Sequence, residues 1–114
     1  MNVVIFQPPY PRGGTVAGAQ SCLEWMQCQL DALHPGEQDV VLLPEYANVP
    51  GLDDGQTVRR FAADQGARFL QATANTAKRL ECLLALAVIA RDGLLWRNQT
   101  MIFNVRGEVA CTYD

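Results

Sequence analysis

An α/β layered domain with a mixed sheet, its elements in the order β-α-β-α-β-β-β, is what the sequence predicts. Three observations carry this. Short apolar runs stand at Val3–Phe6 and Val40–Leu43, the first β-branched and the second bounded by Asp39 and Pro44, as a strand covered on both faces is. The segments after each of them repeat apolar residues at helical spacing, which makes parallel crossovers. The last third of the chain then carries apolar runs joined by short Gly-containing connections, the pattern of antiparallel pairing. At 114 residues the chain is one small domain or a part of a larger one.

The first strand, Val3 to Phe6, runs into Gln7-Pro-Pro-Tyr-Pro-Arg-Gly-Gly14, a loop by composition. Its glycines fit neither GxxxxGK[ST] nor GxGxxG, so no phosphate-binding loop is expected. From about Thr15, Ala19, Cys22, Leu23, Met26, Leu30 and Leu33 fall on one helical face, and Trp25, Gln27, Gln29 and Asp31 fall off it. Pro35 and Gly36 stop this helix near His34, the single histidine. A histidine there is either a base or a partner for the negative helix end, and no second ligand beside it suggests a metal.

The stretch Asp39 to Gly51 comes next. Its strand is stopped by Pro44, and Glu45 stands where the strand ends. Ligands of open α/β sheets collect at the carboxyl ends of strands, so Glu45 is a site candidate. On position alone it reads rather as a solvated carboxylate beginning a loop, since exposed carboxylates are common. Tyr46 and Asn48, just beyond it, are either substrate contacts or ordinary loop residues. A second helix is expected from about Thr57 to Leu80, capped by Asp53, Asp54 or Thr57. Val58, Phe61, Ala62, Phe69, Ala72, Thr73, Thr76, Ala77 and Leu80 form its stripe. Arg59-Arg60 and Lys78-Arg79 are read as solvated faces. Glu81–Ala90 is a third strand, Asp92-Gly93 a turn, and Asn98–Asn104 and Glu108–Tyr113 two further strands around the bend at Val105-Arg106-Gly107. Both helices are expected on one sheet face.

Composition narrows the function classes. Hydrophobic residues make up 49% and charged residues 18%, which describes a globular chain. The net charge of −3 argues against nucleic-acid binding, which needs a basic face. The apolar start lacks a basic leader and meets prolines at once, so no signal peptide is expected. The run Cys82–Ala90 is too short to span a bilayer. No membrane association is expected, and a cytoplasmic location is the default. Cys22, Cys28, Cys82 and Cys111 match no zinc spacing and read as reduced thiols: Cys28 on a helix flank, the others buried. No metal and no cofactor is expected. Asn98-Gln-Thr100 matches a glycosylation acceptor that has no secretory route to serve it.

Three segments together resemble the amino-terminal part of the nitrilase superfamily, the carbon–nitrogen hydrolases. Val3-Val-Ile-Phe-Gln-Pro-Pro9 is a strand followed by Gln, a loop and a long helix. Asp39-Val-Val-Leu-Leu-Pro-Glu45 is the form in which that family presents its catalytic glutamate. Asn98-Gln-Thr-Met-Ile-Phe-Asn-Val-Arg-Gly-Glu108 with Tyr113-Asp114 is similar to the family's apolar strand, glycine hairpin and Tyr-x-Lys. The resemblance spans nearly the whole chain. It implies part of a four-layer α-β-β-α sandwich, with residues 1–114 as an incomplete amino-terminal portion of the domain. It implies hydrolysis of a small amide, nitrile or carbamoyl compound by a Glu-Lys-Cys triad, and a possible homo-oligomer.

In that chemistry a thiolate attacks the substrate carbon and water cleaves the covalent intermediate. The glutamate is the base for thiol and water, and the lysine stabilises the tetrahedral intermediate. A thiol with a pKa of about 8.5 needs such a base at neutral pH, and a cation beside the oxyanion lowers the barrier. Glu45 occupies the glutamate's place. The sequence reaches Asp114 just before the position of the family's lysine, and the nucleophilic cysteine would lie further on. Cys111 precedes the Tyr-x step and alternates with Val109 and Tyr113, which suggests packing; Lys78, on a helix, is no substitute. The expectation is a truncated chain, inactive alone, with one sheet face uncovered. Its alternative is a non-catalytic chain that pairs with itself or with a full-length relative.

Overall fold

Alternation along the third strand sets the architecture. Leu84, Leu86 and Val88 are buried to 2% exposure or less, whereas Leu83 is 41% exposed and Ala85 and Ala87 are partly so. One sheet face therefore carries the core and the other does not. The structure, a computed structural model, describes residues 1–114. Its elements are β1 (Val3–Ile5), α1 (Val16–Asp31), β2 (Val40–Leu42), α2 (Gly55–Ala63), α3 (Gln65–Leu80), β3 (Leu83–Asp92), β4 (Leu95–Phe103) and β5 (Val109–Tyr113). The strands form one sheet in the order β1-β2-β3-β4-β5. β1, β2 and β3 are parallel, and β3-β4 and β4-β5 are antiparallel. This is the mixed sheet that the sequence predicts.

Register explains the two faces. Val4 pairs with Val41, Val41 with Leu84 and Leu84 with Phe103, so these four share the face under the helices. Ala19, Cys22, Leu23, Met26 and Leu30 of α1, and Phe69, Thr73, Ala77 and Leu80 of α3, are the buried helical residues that cover it. Phe6 meets Trp25 edge-on at 6.4 Å, fastening the end of β1 to α1. The opposite face holds Val3 (47% exposed), Ile5 (63%), Val40, Leu42 and Leu83. The helical layer lies on one side only, as expected.

The second helix is where structure and expectation part. In place of one helix to Leu80 there are two, broken at Asp64 (φ −117°, ψ −91°). The break lets α3 approach the loop after β2. A Cβ on Gly66 would stand 2.6 Å from the carbonyl oxygen of Asn48, so only glycine permits that approach. At its other end, α3 stops one residue earlier than the third strand was expected to begin. Glu81 adopts a left-handed conformation (φ +52°), and the Cys82 N–H donates to the Ala77 carbonyl, which closes the helix. Cys82 is buried in this turn rather than in a strand.

Two further expectations change. α1 ends at Asp31, so His34 lies beyond it and is exposed. The carbonyls at that end are met by Arg79, whose guanidinium donates to Leu30 O (2.9 Å) and Leu33 O (3.0 Å). Arg79, exposed as expected, thus also serves as a cap between helices. Cys111 is exposed, not buried, as is every residue of β5. β5 is an edge strand, and a register shift places Val109 opposite Phe103 but Cys111 opposite Ile102, so Val109 and Cys111 do not share a face. The predicted thiols at Cys22 and Cys82 are buried, and burial pushes both pKa values up, as for inert structural cysteines.

Candidate active site

β2 is a short strand whose neighbours on both sides run parallel to it, so its carboxyl end opens on the same edge of the sheet as those of β1 and β3. Pro44 ends the strand there, and Glu45 follows in a turn with its side chain exposed to solvent. What distinguishes Glu45 from a loose surface carboxylate is how tightly the backbone around it is held. Before it, the Leu43 N–H donates to Ala85 O at 2.9 Å; after it, the Ala47 N–H donates to Ala87 O at 3.0 Å. The turn spans two residues of β3 and returns to the same strand. Between these anchors the Tyr10 hydroxyl, from the loop after β1, donates to the carbonyl of Glu45 itself.

Tyr46 carries the conformational cost of this turn. Its φ of +56° is in the left-handed region, which a bulky residue avoids. Strain of this kind, of order 1–3 kcal/mol, persists where surrounding contacts over-determine it. Here Asn48 supplies those contacts. It is fully buried, its Nδ2 donates to Ile89 O at 2.8 Å, and its Oδ1 accepts from Ile89 N at 3.0 Å. The side chain thus continues the β2–β3 ladder past the point where Pro44 ends it. With both amide functions bound to backbone inside the core, Asn48 is placed to hold the turn. Tyr46, in contrast, is 41% exposed, and its hydroxyl accepts from Asn98 Nδ2 of β4 at 3.4 Å.

Tyr10 is the residue that sequence reasoning passed over. It lay in a stretch read only as a Pro/Gly loop, yet prolines at 8, 9 and 11 stiffen the chain around it and leave one aromatic side chain to aim. The loop is braced against the Glu45 segment at a second point: a Cβ on Gly51 (φ +75°) would lie 2.6 Å from Pro11 Cγ. Burial of the Tyr10 phenol, followed by repulsion from Cys22, Glu45 and Tyr46, pushes its pKa up to about 12. It stays protonated, and a donor, throughout the physiological range.

Beside this turn lies an apolar cleft of about 290 Å³ lined by Tyr10, Tyr46, Val49, Leu52, Val58 and Ile89, with Gly51 at its edge. A larger groove of about 400 Å³ runs over α1 and α3 and is lined mainly by polar residues, among them Gln20, Glu24, Gln27 and Arg68. None of its residues belongs to the strand-end loops. No three His, Cys, Asp or Glu side chains come together as a metal site. No helix is long and apolar enough to cross a membrane. Lys78, the only lysine, is exposed on α3, and Cys111 is on the edge strand. No bond in the structure joins either of them to Glu45.

No protein-family model and no curated protein matches the sequence. Solved structures do match. The chain is 18% identical to a carbon–nitrogen hydrolase superfamily protein from Xanthomonas campestris that carries an arsenic adduct in its active site, covering 98% of this chain and 39% of that one, with a TM-score of 0.68. It is 15% identical to a carbon–nitrogen hydrolase from Helicobacter pylori G27, covering 99% of this chain and 38% of that one, with a TM-score of 0.69. A double mutant of the amidase from Nesterenkonia sp. AN1, in complex with acrylamide, is 16% identical over 99% of this chain and 42% of that one, with a TM-score of 0.72. The chain therefore has the fold of the amino-terminal part of nitrilase-superfamily structures. It spans about two fifths of their length. One sheet and one helical layer of the α-β-β-α arrangement are present.

Proposed function

We propose that residues 1–114 are the leading portion of a carbon–nitrogen hydrolase of amidase or nitrilase type, in which Glu45 is the general base. The observation that carries this reading is the clamped turn at the end of β2. The backbone that carries this exposed carboxylate is held at the strand end by the Leu43 and Ala47 anchors on β3 and by the Tyr10 hydroxyl on the Glu45 carbonyl. A general base must meet the proton it takes within hydrogen-bond reach, so fixing its backbone is worth the strain at Tyr46. The remaining chemistry belongs to a lysine and a cysteine supplied by sequence beyond Asp114. The lysine would steady the oxyanion and the thiolate would attack the amide or nitrile carbon. Tyr46 is assigned a substrate contact, and Asn48 the support of the turn. The cytoplasmic location expected from the sequence fits this chemistry.

Reading the codons that follow Asp114 tests the proposal. A Lys is expected within the next few residues and a Cys later, at the end of a further strand. A genuine stop codon with no such residues would overturn it. A second reading draws on the open sheet face, where Val3, Ile5 and Leu83 are each more than two fifths exposed. Under this reading the 114-residue chain is non-catalytic and buries that face against a second copy or a longer relative. Size-exclusion chromatography with light scattering decides it: a folded monomer with no affinity for a relative counts against self-association.

A further inference from the structure

The cleft next to the Glu45 turn is lined by aliphatic and tyrosine side chains, and that lining bears on which acyl group a substrate brings. Both tyrosine hydroxyls are engaged: Tyr10 donates to the Glu45 carbonyl, and Tyr46 accepts from Asn98. The two tyrosines line the cleft together with Val49, Leu52, Val58 and Ile89. No charged side chain is among the lining residues. A carboxylate or ammonium placed in this half-open cleft would give up part of its water without gaining a charged partner, which is unfavourable. The volume of about 290 Å³ also sets a size. Since a dry cavity of about 150 Å³ holds benzene, this one takes a phenyl ring or a branched chain of about six carbons. A lone methyl group would leave most of it empty.

We infer that the cleft receives the acyl substituent of the substrate, and that this substituent is neutral and apolar: an arylacetamide or a medium-chain aliphatic amide or nitrile. The inference rests on the hydrolase reading above. Carbamoyl compounds whose other end is an amino acid carry a carboxylate that the cleft has no group to meet. Acetamide and acrylamide are small enough to enter but leave the lining uncovered. Residues 1–114 supply its walls from the loop after β1, the β2–α2 loop, α2 and β3.

The test is a methyl and amide NMR titration of the 114-residue chain with phenylacetamide, acetamide and phenylacetate. Phenylacetamide is expected to shift the Val49, Val58 and Ile89 methyls and the Glu45 and Tyr46 amides in one saturable process. Acetamide and phenylacetate are expected to bind about tenfold or more weakly, the one for lost apolar contact and the other for its buried charge. Val58→Phe, which fills the cleft, should abolish the methyl shifts; retained side-chain amide protons of Asn48 show that the variant is folded, and Leu52→Ala provides a milder check by weakening binding severalfold. Equal binding of acetamide and phenylacetamide, or silent cleft methyls, overturns the inference. The two failures are separable. Acetamide shifting Glu45 while the cleft stays silent removes this inference and leaves the hydrolase reading. Phenylacetamide and acetamide both leaving the Glu45 and Tyr46 amides silent counts against the hydrolase reading, and the substituent inference falls with it.

Discussion

Replacing Tyr10 by Phe isolates the brace on Glu45, because it removes one oxygen and keeps the ring that lines the cleft. At neutral pH the loss is a single hydrogen bond to a carbonyl that water can reach, so a destabilisation of about 0.5–1.5 kcal/mol is expected. For a domain of this size that lowers the melting temperature by about 3–6 °C. The pH dependence is the sharper readout. The phenol's pKa is raised from 10.0 to about 12 in the folded chain. A raised pKa contributes stability that is fully present below the unfolded value and is lost as pH rises through the folded one. A shift of this size amounts to about 2.7 kcal/mol before solvent is considered. Tyr10 is 39% exposed, so screening reduces it, and we take about 1 kcal/mol. Between about pH 10 and 12 the wild type should therefore lose about 1 kcal/mol relative to Tyr10→Phe, and the gap between them should close or reverse. Urea unfolding of both proteins at neutral and alkaline pH measures it. Parallel stability curves across that range would refute the reasoning, since all other titrating groups are common to both.

Two other substitutions probe the support of the same turn. Asn48→Ala strands the Ile89 N–H and C=O inside the core and should cost about 2–4 kcal/mol, with hydrogen exchange at the Ile89 amide accelerating more than at Leu86; uniform acceleration along β3 would contradict the local role. Gly66→Ala presses a methyl against the Asn48 carbonyl and should destabilise by about 1–3 kcal/mol in denaturant unfolding despite alanine's better helix propensity. A stabilised variant would show that α3 can withdraw from the turn.

How much of this was legible in the sequence depended on whether the signal was local. The strands and their mixed pairing could be read because β-branched runs, prolines and the Val105-Arg106-Gly107 bend report on themselves. Glu45 could be placed at a strand end for the same reason, from Pro44 alone. The break at Asp64 could not be read, because the apolar stripe runs straight through it. What the break permits, the close approach of Gly66 to Asn48, is visible only once the chain is folded. The capping role of Arg79 is equally silent in the sequence: a basic pair on a helix reads as solvated, which it is, and the carbonyls of Leu30 and Leu33 come beside it only in the fold. Cys111 followed an alternation that a one-residue register shift interrupts, and such a shift leaves no mark in the residue pattern. Tyr10 was present in plain view, and only its distant partner, 35 residues along the chain, gives it a role.

The central claim is that Glu45 is a base for carbon–nitrogen bond hydrolysis. The most direct measurement is ammonia release from phenylacetamide by the protein expressed through the coding sequence beyond Asp114, compared with its Glu45→Gln variant. The account predicts a fall in kcat/KM of about 10²–10⁴ with little change in melting temperature, and no turnover by residues 1–114 alone. Undiminished hydrolysis in Glu45→Gln, or hydrolysis by the 114-residue chain that this substitution leaves untouched, would contradict it.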